Sequence, residues 1–561
     1  MATSIRDEKT GDIHHDTTED HFEKQPSTAA TKVVLGDEAF QQATLKEPPS
    51  YMPPPVLLFA SMVAFCCSTA NGYDGSLFGT LLANEAFKKY FNVDNVGIGA
   101  GIVTSIYQIG SVTAIPFIGP AIDTWGRRAG MCIGASVIVL GVVIQIACIA
   151  TERSIGQFMA GRFLLGFGVA IAAAAGPVYV VEVSHPAHRG LVTGLYNVMW
   201  PVGALVASLA ARGGLNYKGT NTSWMIPVSL QIMFPGFVMI CSMFLPESPR
   251  WLFTRDRRAE ATRILARFHG KGNADSEWVK LQLAEYEQFL EMEGTDKTWW
   301  DYRALFRNRA SIYRLSCNCI VSLFGQWAGN SIVSYYLSGF LDTAGIKGDV
   351  LQTNVQLGMS TIQIVSAAGG AALVDNVGRR PLLLAANIAC GLTWIGVIVP
   401  ASIANISDPG DEAQTSAVPG SVSRAVLAFV YLFQICYSVG WTPMQALYPV
   451  EVLSYEMRAK GMAFSSLFTS VALLATQFGV PVALKNISWR TYIVFCCWCF
   501  VQATVLYFLI PETKNRTLEE LDKIFESKSP VKASTEKKKL DVDAHDNIIN
   551  IETVGVDHNA A

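Results

Sequence analysis

GPAIDTWGRR, at residues 119–128, and AALVDNVGRR, at residues 371–380, are two versions of one phrase: apolar residues, an aspartate, then Gly-Arg-Arg. Each follows a long apolar stretch and marks where that stretch meets water. Two further pairs keep the same order. EVSHPAHRG (182–190) places its Glu seven residues before its Arg, and EVLSYEMRAKG (451–461) keeps that spacing. PESPR (246–250) closes the first half of the chain as PETKNR (511–516) closes the second. Three motif pairs in one order, offset by about 250–270 residues, mark an internal duplication.

Composition says what kind of protein is duplicated. Half of the 561 residues are apolar and 16% are charged, where about a quarter charged is usual in soluble domains. Mean hydropathy is +0.30. The charge gathers in residues 1–50, in 250–314 and after 511. A net charge of −3 without a basic stripe gives no reason to expect nucleic acid. The twelve cysteines lie in or beside apolar segments, without CxxC spacing, and read as small core residues. There is no GxxxxGK[ST] loop, metal cluster or catalytic triad, so neither an ATP-driven pump, an enzyme nor a cofactor is expected.

A bilayer core of about 30 Å needs about 20 apolar residues of helix. That window finds twelve candidates: 56–82, 97–118, 129–150, 155–178, 190–211, 226–245, 315–338, 353–374, 381–403, 424–447, 459–483 and 490–510. The fold class expected is an all-α membrane protein of twelve transmembrane helices in two pseudo-symmetric halves of six. The expected domains are a disordered cytosolic tail (1–55), an N-terminal bundle (56–246), a polar insert with amphipathic helices (247–314), a C-terminal bundle (315–510) and a second cytosolic tail (511–561). The insert holds EATRILARFH and SEWVKLQLAEYEQFLEM, whose mixed spacing suits surface helices.

Orientation is not settled by charge. Outside the insert, about 7 Lys and Arg on its side face about 9 on the other, and long loops count little in the positive-inside rule. Three glycosylation triplets, at Asn221, Asn405 and Asn486, fall opposite the insert, while a fourth, Asn515-Arg-Thr, lies beyond the last segment. The three favour their side as extracellular and both termini as cytosolic, in a multi-pass plasma-membrane protein.

DTWGRR, GRFLLGFGVA, PVYVVEVS…RG, PESPRWL, DNVGRRP and PETKNRTLEEL resemble the sugar-porter branch of the major facilitator superfamily, over residues 55 to 525. TGLYNVMW (193–200), ARFHGKGN (266–273) and FGQWAGNSIVSYYL (324–337) resemble the fungal lactose permease and cellodextrin transporter group. The resemblance implies transport by alternating access and a monomer as the working unit.

It also assigns roles. Asp123, Arg127, Arg128, Glu182, Arg189, Glu247 and Arg250 in one half, with Asp375, Arg379, Arg380, Glu451, Arg458 and Glu512 in the other, match the family's intracellular salt-bridge network. Glu182 with Arg189, and Glu451 with Arg458, are the expected partners one hairpin beyond the Gly-Arg-Arg turns. Such pairs would latch the cytosolic side, at about 1 kcal/mol each; interfacial topology anchors are the plainer alternative. One departure stands out: the proline usually found three residues after Glu182 is moved to Pro186, and His185 takes its place.

The run NGYDGSLFG (71–79) puts Asp74 well inside the first apolar segment. Asn-Gly and Asp-Gly are common turn signals. Within a helix, however, a charge at that depth costs roughly 2.5–3.5 kcal/mol or more and needs a partner or a cavity. In the family, a carboxylate after Gly-Tyr in the first helix approaches the arginine of Gly-Arg in the fourth; Asp74 and Arg162 match. Asp74 is then the expected proton carrier and Arg162 its tuner, or the two form a structural ion pair in a uniporter. One proton crossing about 150 mV and one pH unit supplies about 5 kcal/mol.

Sugar recognition needs uncharged hydrogen-bonding groups and aromatic faces. The candidates are Asn197, Gln326, Trp327, Asn330, Ser331, Tyr335, Gln363, Trp441 and Gln445. Against the family, Gly325 replaces the first of two paired glutamines, and Ala446 stands where a tryptophan is usual. The smaller wall suits a β-linked disaccharide such as lactose or cellobiose; a hexose or pentose is the alternative. A non-transporting sugar sensor is the alternative of another class, and the roughly 50 polar residues after the last segment speak against it. For any single Asn or Gln, helix–helix hydrogen bonding is the competing reading.

Overall fold

The computed structural model describes residues 46–48, 54–93, 97–150, 155–293, 305–343, 346, 348–406, 420–453, 458–514, 518–535, 537–542 and 548–554. Of the tail expected over 1–55, only 46–48 and 54–55 fall within the described residues.

The first half contains α1 (Pro55–Ala83), the short α2 (Glu85–Phe91), α3 (Ile98–Gly119), α4 (Arg127–Ala147), α5 (Ile155–Val183), α6 (Arg189–Gly214), α7 (Thr222–Leu230) and α8 (Met233–Cys241). The insert provides α9 (Pro249–Thr254), α10 (Arg258–Phe268) and α11 (Glu277–Glu293). The second half contains α12 (Arg309–Trp327), α13 (Asn330–Tyr335), α14 (Leu337–Thr343), α15 (Asp349–Val377), α16 (Arg379–Ile406), α17 (Gly420–Val452), α18 (Arg458–Ile487) and α19 (Arg490–Leu509). Helices α20 (Leu518–Glu526) and α21 (Pro530–Thr535) follow.

Among the described residues, eleven spans are long and apolar enough to cross a membrane. The twelfth expected span, 315–338, is not one helix. It is broken at Gly329, whose φ of 104° suits glycine and no other residue well, and again between α13 and α14. Its first piece also carries Arg314, Asn318, Ser322 and Gln326 on a buried face, which dilutes its hydropathy. The sixth span turns at Gln231–Ile232, between α7 and α8. Large apolar side chains such as Phe244, Val365 and Phe508 stand exposed on the outside of the spans, the inverse of a water-soluble surface.

The duplication is visible in the packing. α4 lies on α5 as α16 lies on α17, α3 on α5 as α15 on α17, and α1 on α6 as α12 on α18. Small residues let the backbones approach. A Cβ on Gly166 of α5 would stand 1.9 Å from the Tyr107 carbonyl oxygen of α3, and one on Gly203 of α6 would stand 2.0 Å from that of Thr69 on α1. The halves meet through α3 with α18 and α6 with α15. The marked contacts all lie away from the insert: Gly97 N–H donates to Pro481 O at 3.0 Å, and Arg212 Nε to Asn354 Oδ1 at 3.0 Å.

The insert helices share a small core of Leu252, Phe253, Ala261, Leu265, Val279 and Tyr286. The C-terminal segment departs from the plain polar tail expected. On α20 an apolar face of Leu521, Ile524 and Phe525 is buried against the second half, where the Phe525 ring lies 4.6 Å below the Arg314 guanidinium. A two-stranded antiparallel pair, β1 (Lys537–Val542) and β2 (Ile548–Val554), is the one sheet among the described residues of this otherwise helical chain.

Gly166→Leu should abolish the folded, monodisperse species on size-exclusion chromatography, because overpacking against backbone has no side chain to yield. Gly119→Ala, where nothing lies within 4 Å of the added atom, should leave it unchanged.

Candidate functional site

The Gly-Arg-Arg turns build the same structure twice. Gly126 (φ 99°) and Gly378 (φ 104°) precede the first residues of α4 and α16. Arg127 Nε lies 2.8 Å from Glu182 Oε2, and Arg379 Nη2 lies 2.7 Å from Glu451 Oε1. A hydroxyl completes each glutamate: Ser248 Oγ donates to Glu182 at 2.6 Å, and Thr513 Oγ1 to Glu451 at 2.6 Å. Glu247 and Glu512 then sit at the N-termini of α4 and α16. Glu247 accepts from Arg128 N–H at 3.3 Å, and Glu512 from Arg379 and Arg380 N–H at 2.9 and 3.0 Å. Negative charge there is favoured by the free amides and the helix dipole. Arg128 and Arg380 turn back onto the carbonyls of Leu245 and Tyr507.

One expected pairing changes. Glu182 is not held by Arg189, because its carboxylate is already filled by the Arg127 fork and Ser248. Arg189 instead faces the insert, where burial raises the Glu285 carboxyl against the opposing charges of Arg189 and Arg250. Asp123 keeps an i,i+4 pair with Arg127 at 3.1 Å but is largely exposed. The side chains of Asp375 and Arg458 lie outside the described residues. Each clasp is closed within its own half: among the described residues no ion pair of this network joins the two halves.

His185, standing where the family has proline, caps the turn after α5. Its Nδ1 accepts from Ala187 N–H at 3.2 Å, and its ring lies 4.8 Å from that of Trp278 in the insert. His269 of the insert bonds the Val183 carbonyl at the end of α5. The insert is thus seated on α5 by imidazoles. Burial first, then the neighbouring His269 and His188, lowers the His185 pKa to about 4.

Asp74 is 1% exposed on α1, confirming helix rather than turn there. Its Oδ1 accepts from Gln231 Nε2 at 3.0 Å, while Oδ2 has no hydrogen-bond partner. No direct ion pair joins it to Arg162. The Arg162 guanidinium is buried between the rings of Phe78 and Tyr107, at 4.6 and 5.2 Å, and its Nε and Nη1 are unpartnered. The two groups are neighbours without a bond, as are Tyr335 and Tyr336 from the other half. Gln231 escaped the sequence reading; its signal was that it is the one glutamine in the sixth segment.

The broken span carries most of the sugar candidates. Gln326 Nε2 donates to Gln445 Oε1 at 2.8 Å, Gln445 Nε2 to Tyr437 Oη at 2.9 Å, and Tyr437 O–H to Gly325 O at 2.7 Å. A Cβ on Gly325 would stand 2.7 Å from Gln445 Nε2, so Gln445 fills the space that the missing side chain leaves. Tyr437, the hub of this chain of bonds, was also missed. Ser331 bonds Thr476, Asn330 accepts from Ser334, and Trp327 Nε1 donates to Ala472 O. Trp441 is fully buried in the packing with its indole N–H unpartnered. Asn197 is exposed on α6 and Gln363 half-buried on α15, and no hydrogen bond joins either to the Gln326 group. Tyr335 meets α1: a Cβ on Gly79 would stand 2.7 Å from Ser334 O and 3.5 Å from Tyr335 O. Asn221 and Asn486 are exposed at span ends away from the insert, and the Asn405 side chain lies outside the described residues.

Residues 60–525 match the family described as Sugar (and other) transporter. A high-affinity glucose transporter of Kluyveromyces lactis is 29% identical over 475 residues, covering 82% of this chain and 83% of that protein. A probable quinate permease of Aspergillus fumigatus is 27% identical, covering 84% and 88%. The inward-open xylose transporter XylE of E. coli superposes with a TM-score of 0.66 at 19% identity, covering 84% of this chain and all of that one.

Arg127→Ala should lower the unfolding temperature, because stranding a buried carboxylate costs up to about 3–5 kcal/mol. Arg127→Ala with Glu182→Gln should recover part of that loss, read as a double-mutant cycle. His185 is lower in the folded state, so the unfolded chain binds its proton first and stability falls as pH drops from 6.5 toward about 4. His185→Gln should flatten that part of the melting-temperature profile.

Proposed function

This chain belongs to the Sugar (and other) transporter family, and from that membership we propose that it carries a sugar across the plasma membrane by alternating access, in symport with a proton held on Asp74. It is a multi-pass membrane protein of the major facilitator superfamily and a sugar transporter, not an enzyme. The insert and both termini face the cytosol in this reading, and the clasps around Glu182 and Glu451 brace the cytosolic end of each half.

One observation supports the coupling above others. Asp74 is buried with one oxygen free of donors, on the same helix whose Gly79 packs against Ser334 and Tyr335 of the broken span. Sugar drawn onto Gln326, Gln445 and their neighbours would shift that span, and α1 with it. Asp74 would then exchange its hydrogen bond from Gln231 for a direct ion pair with the neighbouring Arg162 guanidinium. The two environments favour different protonation states, which is what loads and releases a proton. Equal affinity in both states would couple nothing.

A β-linked disaccharide such as lactose or cellobiose is the substrate favoured by Ala446, where the family has a bulkier residue. A hexose or pentose is the second reading. It is favoured by Gln445 occupying the space beside Gly325, and by the resemblance to a glucose transporter.

Labelled cellobiose, lactose, glucose and xylose should be offered to transporter-deficient yeast expressing this chain, with and without a protonophore. One of them should be concentrated, and the protonophore should collapse the gradient. Asp74→Asn should abolish accumulation while exchange persists; accumulation by that variant would sink the proton assignment. Gln326→Ala and Gln445→Ala should each raise KM roughly threefold to tenfold, the worth of one hydrogen bond. Unchanged KM in both would move the sugar elsewhere.

A further inference from the structure

A cavity of about 620 Å³ opens at the end of the bundle away from the insert. It lies on the seam between the halves. Ile98 and Ile102 reach it from α3, Ile155 and Met159 from α5, and Val482 and Lys485 from α18. All three helices end their spans at this level: α3 begins at Ile98, α5 at Ile155, and α18 finishes at Ile487. The cavity therefore stands where the hydrocarbon core gives way to headgroups, lined by the first turns of α3 and α5 and the last turns of α18.

The lining has a specific chemistry. Ile98 and Ile102 leave 61% and 43% of their surface exposed. Gly99 between them has no atom within 4 Å of where a Cβ would stand. Among the described residues, the lining carries one cation. Lys485 is exposed and laid against Gly97, where a Cβ would come within 2.9 Å of the lysine Cδ. Most of the lining is apolar, and its polar side chains are Asn92, Lys485 and Asn486, all exposed. An acyl chain answers the apolar lining, and a phosphate at headgroup depth answers the ammonium.

We propose that this cavity is a phospholipid site, with one acyl chain between α3, α5 and α18 and the headgroup phosphate on Lys485. The lipid bridges the halves at the seam already closed by the Gly97 N–H to Pro481 bond. It binds the arrangement in which this end is shut better than one in which α3 and α18 part. It therefore biases the alternation toward that state.

The test is native mass spectrometry of the full chain, delipidated in detergent and titrated with phosphatidylglycerol. Wild type should retain one lipid more tightly than the rest. Lys485→Gln should weaken that lipid about fivefold, the factor equivalent to about 1 kcal/mol for one basic residue at a headgroup. Gly99→Leu, which fills open space in the cavity lining between Ile98 and Ile102, should lose the tight lipid while keeping the looser ones. Equal retention by all three proteins would overturn the site. A fatty acid binding as tightly as phosphatidylglycerol and indifferent to Lys485→Gln would overturn the phosphate contact. The readout involves no transport, so failure of the sugar or proton assignment would leave it standing.

Discussion

The clasp of an arginine fork on a glutamate, buried at Glu182 and half-buried at Glu451, is made once in each half and organises the end of the protein that carries the insert. Each clasp ties three pieces of chain together. Arg127 or Arg379 starts one helix, Glu182 or Glu451 ends or nearly ends another, and Ser248 or Thr513 lies just past the last span of its half. A charge with so little water around it is held only if most of its lone pairs are taken, and the second carboxylate of the trio, Glu247 or Glu512, takes the helix N-terminus. The glycine before each arginine is what lets that carboxylate approach: a Cβ would fall 2.6 Å from Glu247 Oε2 and 2.9 Å from Glu512 Oε2. The motif is thus a hub internal to each half, so either half can move with its own end intact.

Contacts between the halves are of another kind. They are backbone approaches, packing and single hydrogen bonds such as Arg212 Nε to Asn354 and Glu85 N–H to the Asp349 carboxylate, concentrated away from the insert on α3 with α18 and α6 with α15. α1 joins this seam at Gly79, five residues past Asp74, where it touches the broken seventh span. The carboxyl and the glutamine–tyrosine chain of the second half are therefore separated by one shared packing contact. The break at Gly329 frees backbone at that depth, which a membrane tolerates only where protein or a water-lined cavity surrounds it.

Legibility fell off with distance from local pattern. The halves, eleven of the twelve spans, the insert helices and the positions of the charged motifs followed from hydropathy and repeats. The partner of Glu182 did not, because a Glu and an Arg seven residues apart look paired on paper, while the fold brings Arg127 to it from 55 residues away. Asp74 was recognisable as a buried acid from its depth, but its donor, Gln231, comes from another span. Gln326 and Gln445 were both visible as polar residues in apolar segments; that they bond each other through the space at Gly325 was not.

By itself, then, the sequence determined the approximate place of eleven spans and which few ionisable groups were placed where charge is expensive. Those properties depend on composition over a window of about 20 residues, and a linear chain displays them directly. Only the tertiary structure decided who meets whom: Arg127 over Arg189 for Glu182, Gln231 over Arg162 for Asp74, and a docked α20 in place of a plain tail. Pairing depends on which helix faces approach and on which lone pairs are already filled. Neither quantity exists until the helices have packed.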